Sequence, residues 1–214
     1  PQIPTTLYAG TNGGVLISTT GGAYWGPASA GLTNPSVHSL AVDPQNPTTL
    51  YAGTAGGIFK STTGGSLWAE EDTALTGIST YAVALTPQSP ATLYAGSRRG
   101  VFRSTDHGMS WVAVNAGLTG HFISVLVLDP QFPRTLYAGT NTGVLKSTDG
   151  GNSWHAVTTG LSGWVYELKI DPQNPGTVYA GSSGYGVFKS TTGGVSWSPA
   201  NAGLANLWIG ALAL

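Results

Sequence analysis

The phrase PQ-x-P-x-T-(L/V)-Y-A-G starts at Pro1, Pro44, Pro87, Pro130 and Pro172, dividing 214 residues into repeats of 43, 43, 43, 42 and 43 with nothing left over. No other feature constrains the fold as strongly, because a repeat this short must bury its apolar face on its neighbours. Each repeat is built in the same order. A LYAG strand leads into a tight turn such as TNGG, a strand such as VLKST, and an eight-residue phrase ending in Trp. A strand opening at that Trp, a GL-(T/S)-G turn and an apolar strand such as ISVLVLD complete the repeat. Gly, Pro and Asn stand at the corners, which reads as four short antiparallel strands per repeat. A helical solenoid is excluded, since no stretch has apolar residues at i, i+3, i+4 and i+7 and Gly or Pro interrupts every window of helical length.

Four strands at a period of about 40 to 50 residues predict a blade of a β-propeller. The expected fold is all-β, a single five-bladed β-propeller over residues 1–214 with repeats at 1–43, 44–86, 87–129, 130–171 and 172–214. The last apolar strand, residues 207–214, has no LYAG strand after it, and the chain opens with one. The expectation is that 207–214 pairs with residues 6–10 and closes the ring.

The eight-residue phrase reads STTGGAYW, STTGGSLW, STDHGMSW, STDGGNSW and STTGGVSW in chain order. Its full form, S-x-D-x-G-x-x-W at Ser104–Trp111 and Ser147–Trp154, resembles the Asp-box of bacterial-neuraminidase-repeat propellers. That box occurs in sialidases, xyloglucan-cleaving glycosidases, sortilin-type receptors and the photosystem II assembly-factor family, so the resemblance implies a fold and not a function. It also implies that the phrase forms the hairpin between third and fourth strands, away from the binding face. Side-chain chemistry agrees with a turn. Asp106 and Asp149 can accept backbone N–H bonds, Thr20, Thr63 and Thr192 can do so more weakly, and the Gly two residues on supplies φ > 0. Trp25, Trp68, Trp111, Trp154 and Trp197 then cover the apolar base of the hairpin. Calcium binding or acid catalysis by these boxes is the rival reading, and three of five copies lack the carboxylate it requires.

Composition narrows the function classes. Only 17 residues are charged and the net charge is −1, so neither nucleic acid nor an anionic membrane meets a basic partner. Zero Cys excludes disulfides and thiol chemistry. No run of 18 apolar residues could span a membrane, and the opening at Pro1 without a charged-then-apolar leader reads as a mature or trimmed chain. A surface of Ser, Thr, Asn and Gly points to an extracellular or periplasmic setting.

Glycosidases need two carboxylates flanking a sugar. With the box acids set aside, and with Asp43, Asp129 and Asp171 explained by Asp-Pro corners, Glu70, Glu71, Asp72 and Glu167 remain. The first three read as a solvated outer edge, and Glu167 as the ion-pair partner of Lys169. The resemblance to sialidases would demand three convergent arginines and a Tyr/Glu pair. Arg98, Arg99, Arg103 and Arg134 come from only two repeats, and the Arg-Ile-Pro element is missing. His38, His107, His121 and His155 show no metal-ligand spacing, so no metal or cofactor is expected.

Two segments vary between repeats while the frame stays fixed: the turn after the LYAG strand and the entry to the apolar strand. They carry Asn12, His38, Tyr81, Arg98, Arg99, His121, Phe122, Asn141, Trp164, Tyr185 and Trp208, with Tyr166 read as an interior ring. Aromatic faces beside amide and guanidinium donors suit a sugar or a peptide. The same rings could instead fill the channel and the blade interfaces. Three functions follow: a non-catalytic module binding protein or carbohydrate, an architectural propeller without ligand, and a glycoside hydrolase with an unrecognised carboxylate pair.

Overall fold

The computed structural model describes residues 5–70, 73–87, 91–118 and 122–214. Apart from a 3-10 turn at Thr73–Leu75, its regular structure is strand, in five antiparallel sheets. The first sheet holds β1 (Leu7–Thr11), β2 (Gly14–Ser18) and β3 (Gly26–Pro27). The second holds β4 (Val37–Val42), β5 (Leu50–Thr54) and β6 (Gly57–Ser61), extended by a bridge from Lys60 to Ala69. The third runs β7 (Thr80–Leu85), β8 (Leu93–Ser97), β9 (Gly100–Ser104), β10 (Val112–Ala113). The fourth runs β11 (Ile123–Leu128), β12 (Leu136–Thr140), β13 (Gly143–Ser147), β14 (His155–Ala156). The fifth runs β15 (Val165–Ile170), β16 (Val178–Ser182), β17 (Gly186–Ser190), β18 (Ser198–Pro199).

Sheets and repeats are out of phase by one strand. The apolar strand that ends one repeat pairs with the LYAG strand of the next, as in Leu40↔Ala52, Leu126↔Ala138 and Leu168↔Ala180. The Asp-Pro corner makes this hairpin. Asp43 Oδ1 accepts the amides of Gln45 (2.8 Å) and Asn46 (3.3 Å), and Asp129 and Asp171 repeat the arrangement. Three of the apolar strands also carry a register shift, between Val37 and Ser39, Ile123 and Val125, and Val165 and Glu167. Such a bulge turns its extra residue out of the ladder.

The strand expected over 207–214 is not formed: residues 206–214 carry no regular structure, and β1 is the edge strand of a three-stranded sheet. Glu71, Asp72 and His121 lie outside the described residues.

Two compact units divide the chain, one of Pro1–Ala95 with Ser104–Val112, the other of Gly96–Arg103 with Ala113–Leu214. The first packs Val15, Val37, Leu50, Ala52, Phe59 and Trp68 into a core between consecutive sheets. Its counterpart in the second packs Tyr137, Val144, Val165, Leu168, Phe188 and Trp197. Alternation along each strand puts small LYAG residues and bulky apolar residues against one another, and β5, β8 and β12 are buried along their whole length.

Candidate functional site

Each sheet has two kinds of strand end. At one end lies the eight-residue turn. Asp149 Oδ1 accepts the Ser147 hydroxyl (2.8 Å) and the Ser153 amide (2.9 Å), and Oδ2 accepts the Ser153 hydroxyl (2.6 Å). Asp106 repeats the set with Ser104 and Ser110. The hydroxyl and amide of Ser153, then the Ser147 hydroxyl, hold the Asp149 carboxyl down at about 2, and Ser110 and Ser104 hold Asp106 there likewise. Where Thr replaces Asp, its hydroxyl accepts the equivalent amide, from Tyr24 (2.9 Å), Leu67 (2.9 Å) or Ser196 (3.0 Å), and pairs at longer range with the box Ser hydroxyl (3.2 to 3.3 Å).

These turns are tied to the preceding repeat. Trp68, Trp154 and Trp197 donate their indole N–H to Ala28, Val114 and Val157 carbonyls (2.7, 2.9 and 2.7 Å), each 40 residues back. Tyr8, Tyr51 and Tyr137 reach 56 residues forward, to the carbonyls of Gly64, His107 and Gly193. Lys146 Nζ also bonds Gly193 O, and Arg103 bonds Gly150 O and Asn152. Arg103 and Arg134 therefore serve turns, Arg134 through Asp149 O (3.4 Å). Trp25 differs from its four counterparts. It is 37% exposed, against between 2 and 6% for Trp68, Trp111, Trp154 and Trp197.

The variable segments occupy the other strand ends. In the first unit Asn12 Oδ1 accepts the Ser36 hydroxyl (3.4 Å), which lies 3.5 Å from His38 Nε2. His38 Nδ1 lies 3.1 Å from Thr80 O, and its ring stacks on Tyr81 at 4.7 Å and 7°. In the second unit a run of rings forms: Phe122 meets Trp164 edge-on (5.2 Å, 88°), and Trp164 stacks on Tyr166 (5.2 Å, 21°). The Arg98 guanidinium lies over Phe122 at 5.8 Å. The half-buried Trp164 keeps an indole N–H with no hydrogen-bond partner, and Ser182 Oγ on β16 is likewise unpaired.

Tyr166, expected inside, is 37% exposed. The bulge between Val165 and Glu167 explains it, since Tyr166 is the residue left out of the ladder. His38 and Ser124 occupy the same place in their bulges, and Ser124 donates to the carbonyls of Gly139 (2.9 Å) and Val165. One residue per bulge is thus left without a ladder partner. Repeat alignment reveals the position, but nothing in the residues marks the bulge.

The other expected site residues are spread. Tyr185 is 53% exposed and Trp208 69% exposed, and Tyr185 packs against the Gly163 backbone. Arg99 and Asn141 sit in exposed turns, with the Arg99 amide held by Ser97 Oγ (3.1 Å). Glu167 is paired with Lys169 at 3.0 Å, and Glu70 accepts the Thr76 hydroxyl at 2.6 Å. Among the described residues no three His, Cys, Asp or Glu gather as metal ligands, and no helix is long and apolar enough to cross a membrane.

No family model and no curated protein matches the sequence. Solved structures do resemble it. An ancestral GH74 enzyme superposes with a TM-score of 0.83 at 25% identity, over 95% of this chain and 30% of that one. The GH74 xyloglucanase from Xanthomonas campestris gives 0.69 at 17% identity, over 91% and 35%. The extracellular domain assigned to a one component system of B. thetaiotaomicron gives 0.74 at 16% identity, over 96% and 28%. All three are β-propellers, and the five sheets of this chain are propeller-like. The chain spans about a third of their lengths.

Proposed function

We infer that this chain is a non-catalytic binding module, placed outside the cell or in the periplasm, whose ligand lies on the Phe122–Trp164–Tyr166 rings. The ring run itself carries the reading: three aromatic side chains from two consecutive repeats meet at one strand end, with Arg98 beside them. Such an array offers C–H stacking surface with a few donors, which suits a carbohydrate or an extended protein segment. Tyr185, exposed and against Gly163 next to Trp164, adds apolar area beside these rings. The eight-residue turns are read as structural Asp-boxes, with Asp106, Asp149 and the five Trp devoted to the fold.

Binding of neutral glucans, xyloglucan included, and of protein candidates to wild type and Trp164→Ala is the test. Loss of one truncated aromatic at a binding centre commonly costs more than about 1 kcal/mol, so affinity is expected to fall at least about fivefold. Equal affinity of a normally folded Trp164→Ala variant removes the site from these rings.

A glycoside hydrolase is the second reading, favoured by the likeness to GH74 enzymes. It requires carboxylates roughly 5 to 9.5 Å apart across a sugar. Glu167 is engaged by Lys169, and the Asp106 and Asp149 carboxylates are each held by three donors. Release of reducing ends from xyloglucan, abolished by Glu167→Gln, would favour this reading over the first.

A further inference from the structure

Resting on the ring site assigned above, we propose that its ligand is an acidic segment of a protein, with a carboxylate held by Arg98 and Arg99. The unit of Gly96–Arg103 and Ala113–Leu214 holds seven Lys and Arg against four Asp and Glu, a net charge of +3 in a chain whose total is −1.

Most of these charges are engaged in the fold. Arg103 donates to Gly150 O (3.0 Å), Lys146 to Gly193 O (2.9 Å) and Arg134 to Asp149 O (3.4 Å), all at the eight-residue turns. Lys189 lies over Tyr179 at 5.4 Å, and Lys169 pairs with Glu167 at 3.0 Å. Asp149 is held by Ser147 and Ser153, and Asp129 and Asp171 by the amides of their corners. Arg98 and Arg99 stand apart from these, side by side and exposed in the turn between β8 and β9 at the variable strand ends. The same turn reads Asn12–Gly13, Ala55–Gly56 and Asn141–Thr142 in three other repeats, so the backbone requires no cation there. Two adjacent like charges disfavour each other until an anion joins them.

The backbone of this turn is fixed before any ligand arrives. Ser97 Oγ accepts the Arg99 amide (3.1 Å) and donates to the Gly100 carbonyl (3.0 Å), while Asn115 donates to the Arg99 carbonyl (3.0 Å) and accepts the Val101 amide (2.8 Å). The Arg98 guanidinium lies over Phe122 at 5.8 Å, which orients a planar fork of N–H donors beside the rings. Such a fork matches a carboxylate in geometry and in charge, and the fixed backbone lowers the cost of ordering it. Cations are confined to two residues of this turn, whereas Tyr166 and Tyr185 expose rings in the same unit. That pattern is complementary to one or two carboxylates among apolar side chains, as in an acidic protein segment, and not to a polyuronate with a carboxylate on every sugar.

Calorimetric titration of the intact chain with the peptide Ac-Ser-Asp-Phe-Asp-Phe-Ser-NH2 and with its Asn-for-Asp twin tests this, with polygalacturonate as a separate arm. The acidic peptide is expected to bind at least about fivefold more tightly than the twin at about 0.05 M salt, and the preference to shrink at about 0.5 M. Arg98→Asn combined with Arg99→Thr, the pair already present at Asn141–Thr142, is expected to erase the preference without moving the midpoint of urea unfolding. Equal binding of both peptides, or a preference that the double variant keeps, overturns the carboxylate assignment and leaves the rings standing. No binding of the acidic peptide, or binding of polygalacturonate in its place, overturns the protein segment. A Trp164→Ala variant that changes neither affinity while the dependence on Arg98 and Arg99 persists upholds the arginines and removes the rings.

Discussion

Asp106 and Asp149 each collect three hydrogen bonds at the tip of a turn, and the three equivalent threonines keep the amide bond with a longer contact to the box Ser hydroxyl. The difference titrates. Both carboxyls fall from 3.8 to about 2 in the folded chain, so their bonds stabilise it fully above about pH 4 and are lost as pH falls through about 2. Amide exchange at Ser110 and Ser153, corrected for intrinsic rates, is expected to quicken across that window. Exchange at Tyr24, Leu67 and Ser196 should keep its protection, because a hydroxyl acceptor does not titrate there. Asp149→Thr should keep protection at Ser153 and abolish its pH response. Asp and Thr at one position thus mark the same turn with different sensitivity to acid.

At the scale of the elements, an indole bond from Trp68, Trp154 and Trp197 holds each of those three boxes to the repeat before it, whereas Trp111 donates to Gly108 O in its own box. Trp154→Phe leaves the Val114 carbonyl buried without its donor, at a cost of about 1 to 3 kcal/mol in chemical unfolding. Trp25→Phe is expected to cost less than about 0.5 kcal/mol, since the exposed ring gives up little. Gly117, at φ +87°, lies against the Trp154 carbonyl so closely that a Cβ would collide, which is why the AGL turn keeps its glycine. Strands and corners were readable because Gly, Pro and Asp-Pro mark them locally. The pairing phase was readable too: the expectation for residues 207–214 already sets an apolar strand against a LYAG strand, and the Asp-Pro corner makes that hairpin in β4–β5, β11–β12 and β15–β16. Tyr166 marks the limit. Its alternation places it inside, and a bulge that depends on the neighbouring strand turns it out.

For the whole molecule, stability is a sum of sheets and the contacts between successive ones. The first sheet has three strands, an edge at β1 and an exposed Trp25, whereas the fourth has four strands and buried β12. In dilute solution hydrogen exchange is expected to be fastest in β1 and 206–214 and slowest in β12 and β13, by a factor of about 100 or more. Uniform protection along the chain would count against nearest-neighbour coupling. The candidate site was legible at the level of segments, since the variable turns carry Arg98, Phe122 and Trp164. Which rings meet was not, because Phe122 and Trp164 are 42 residues apart and touch only once two sheets are packed.

The ties of Tyr to a turn 56 residues ahead and of Trp to a carbonyl 40 residues behind have a bearing on how such a chain can change length. Both spans are set by the repeat rather than by any one residue pair, so copying or deleting a whole repeat returns every donor to an equivalent acceptor. Insertion of a fraction of a repeat breaks both ties at the junction and leaves a buried donor and a buried carbonyl unmet. Copy number is therefore the dimension along which this architecture can evolve without first losing stability, and gene segments of about 43 codons are its natural currency of recombination.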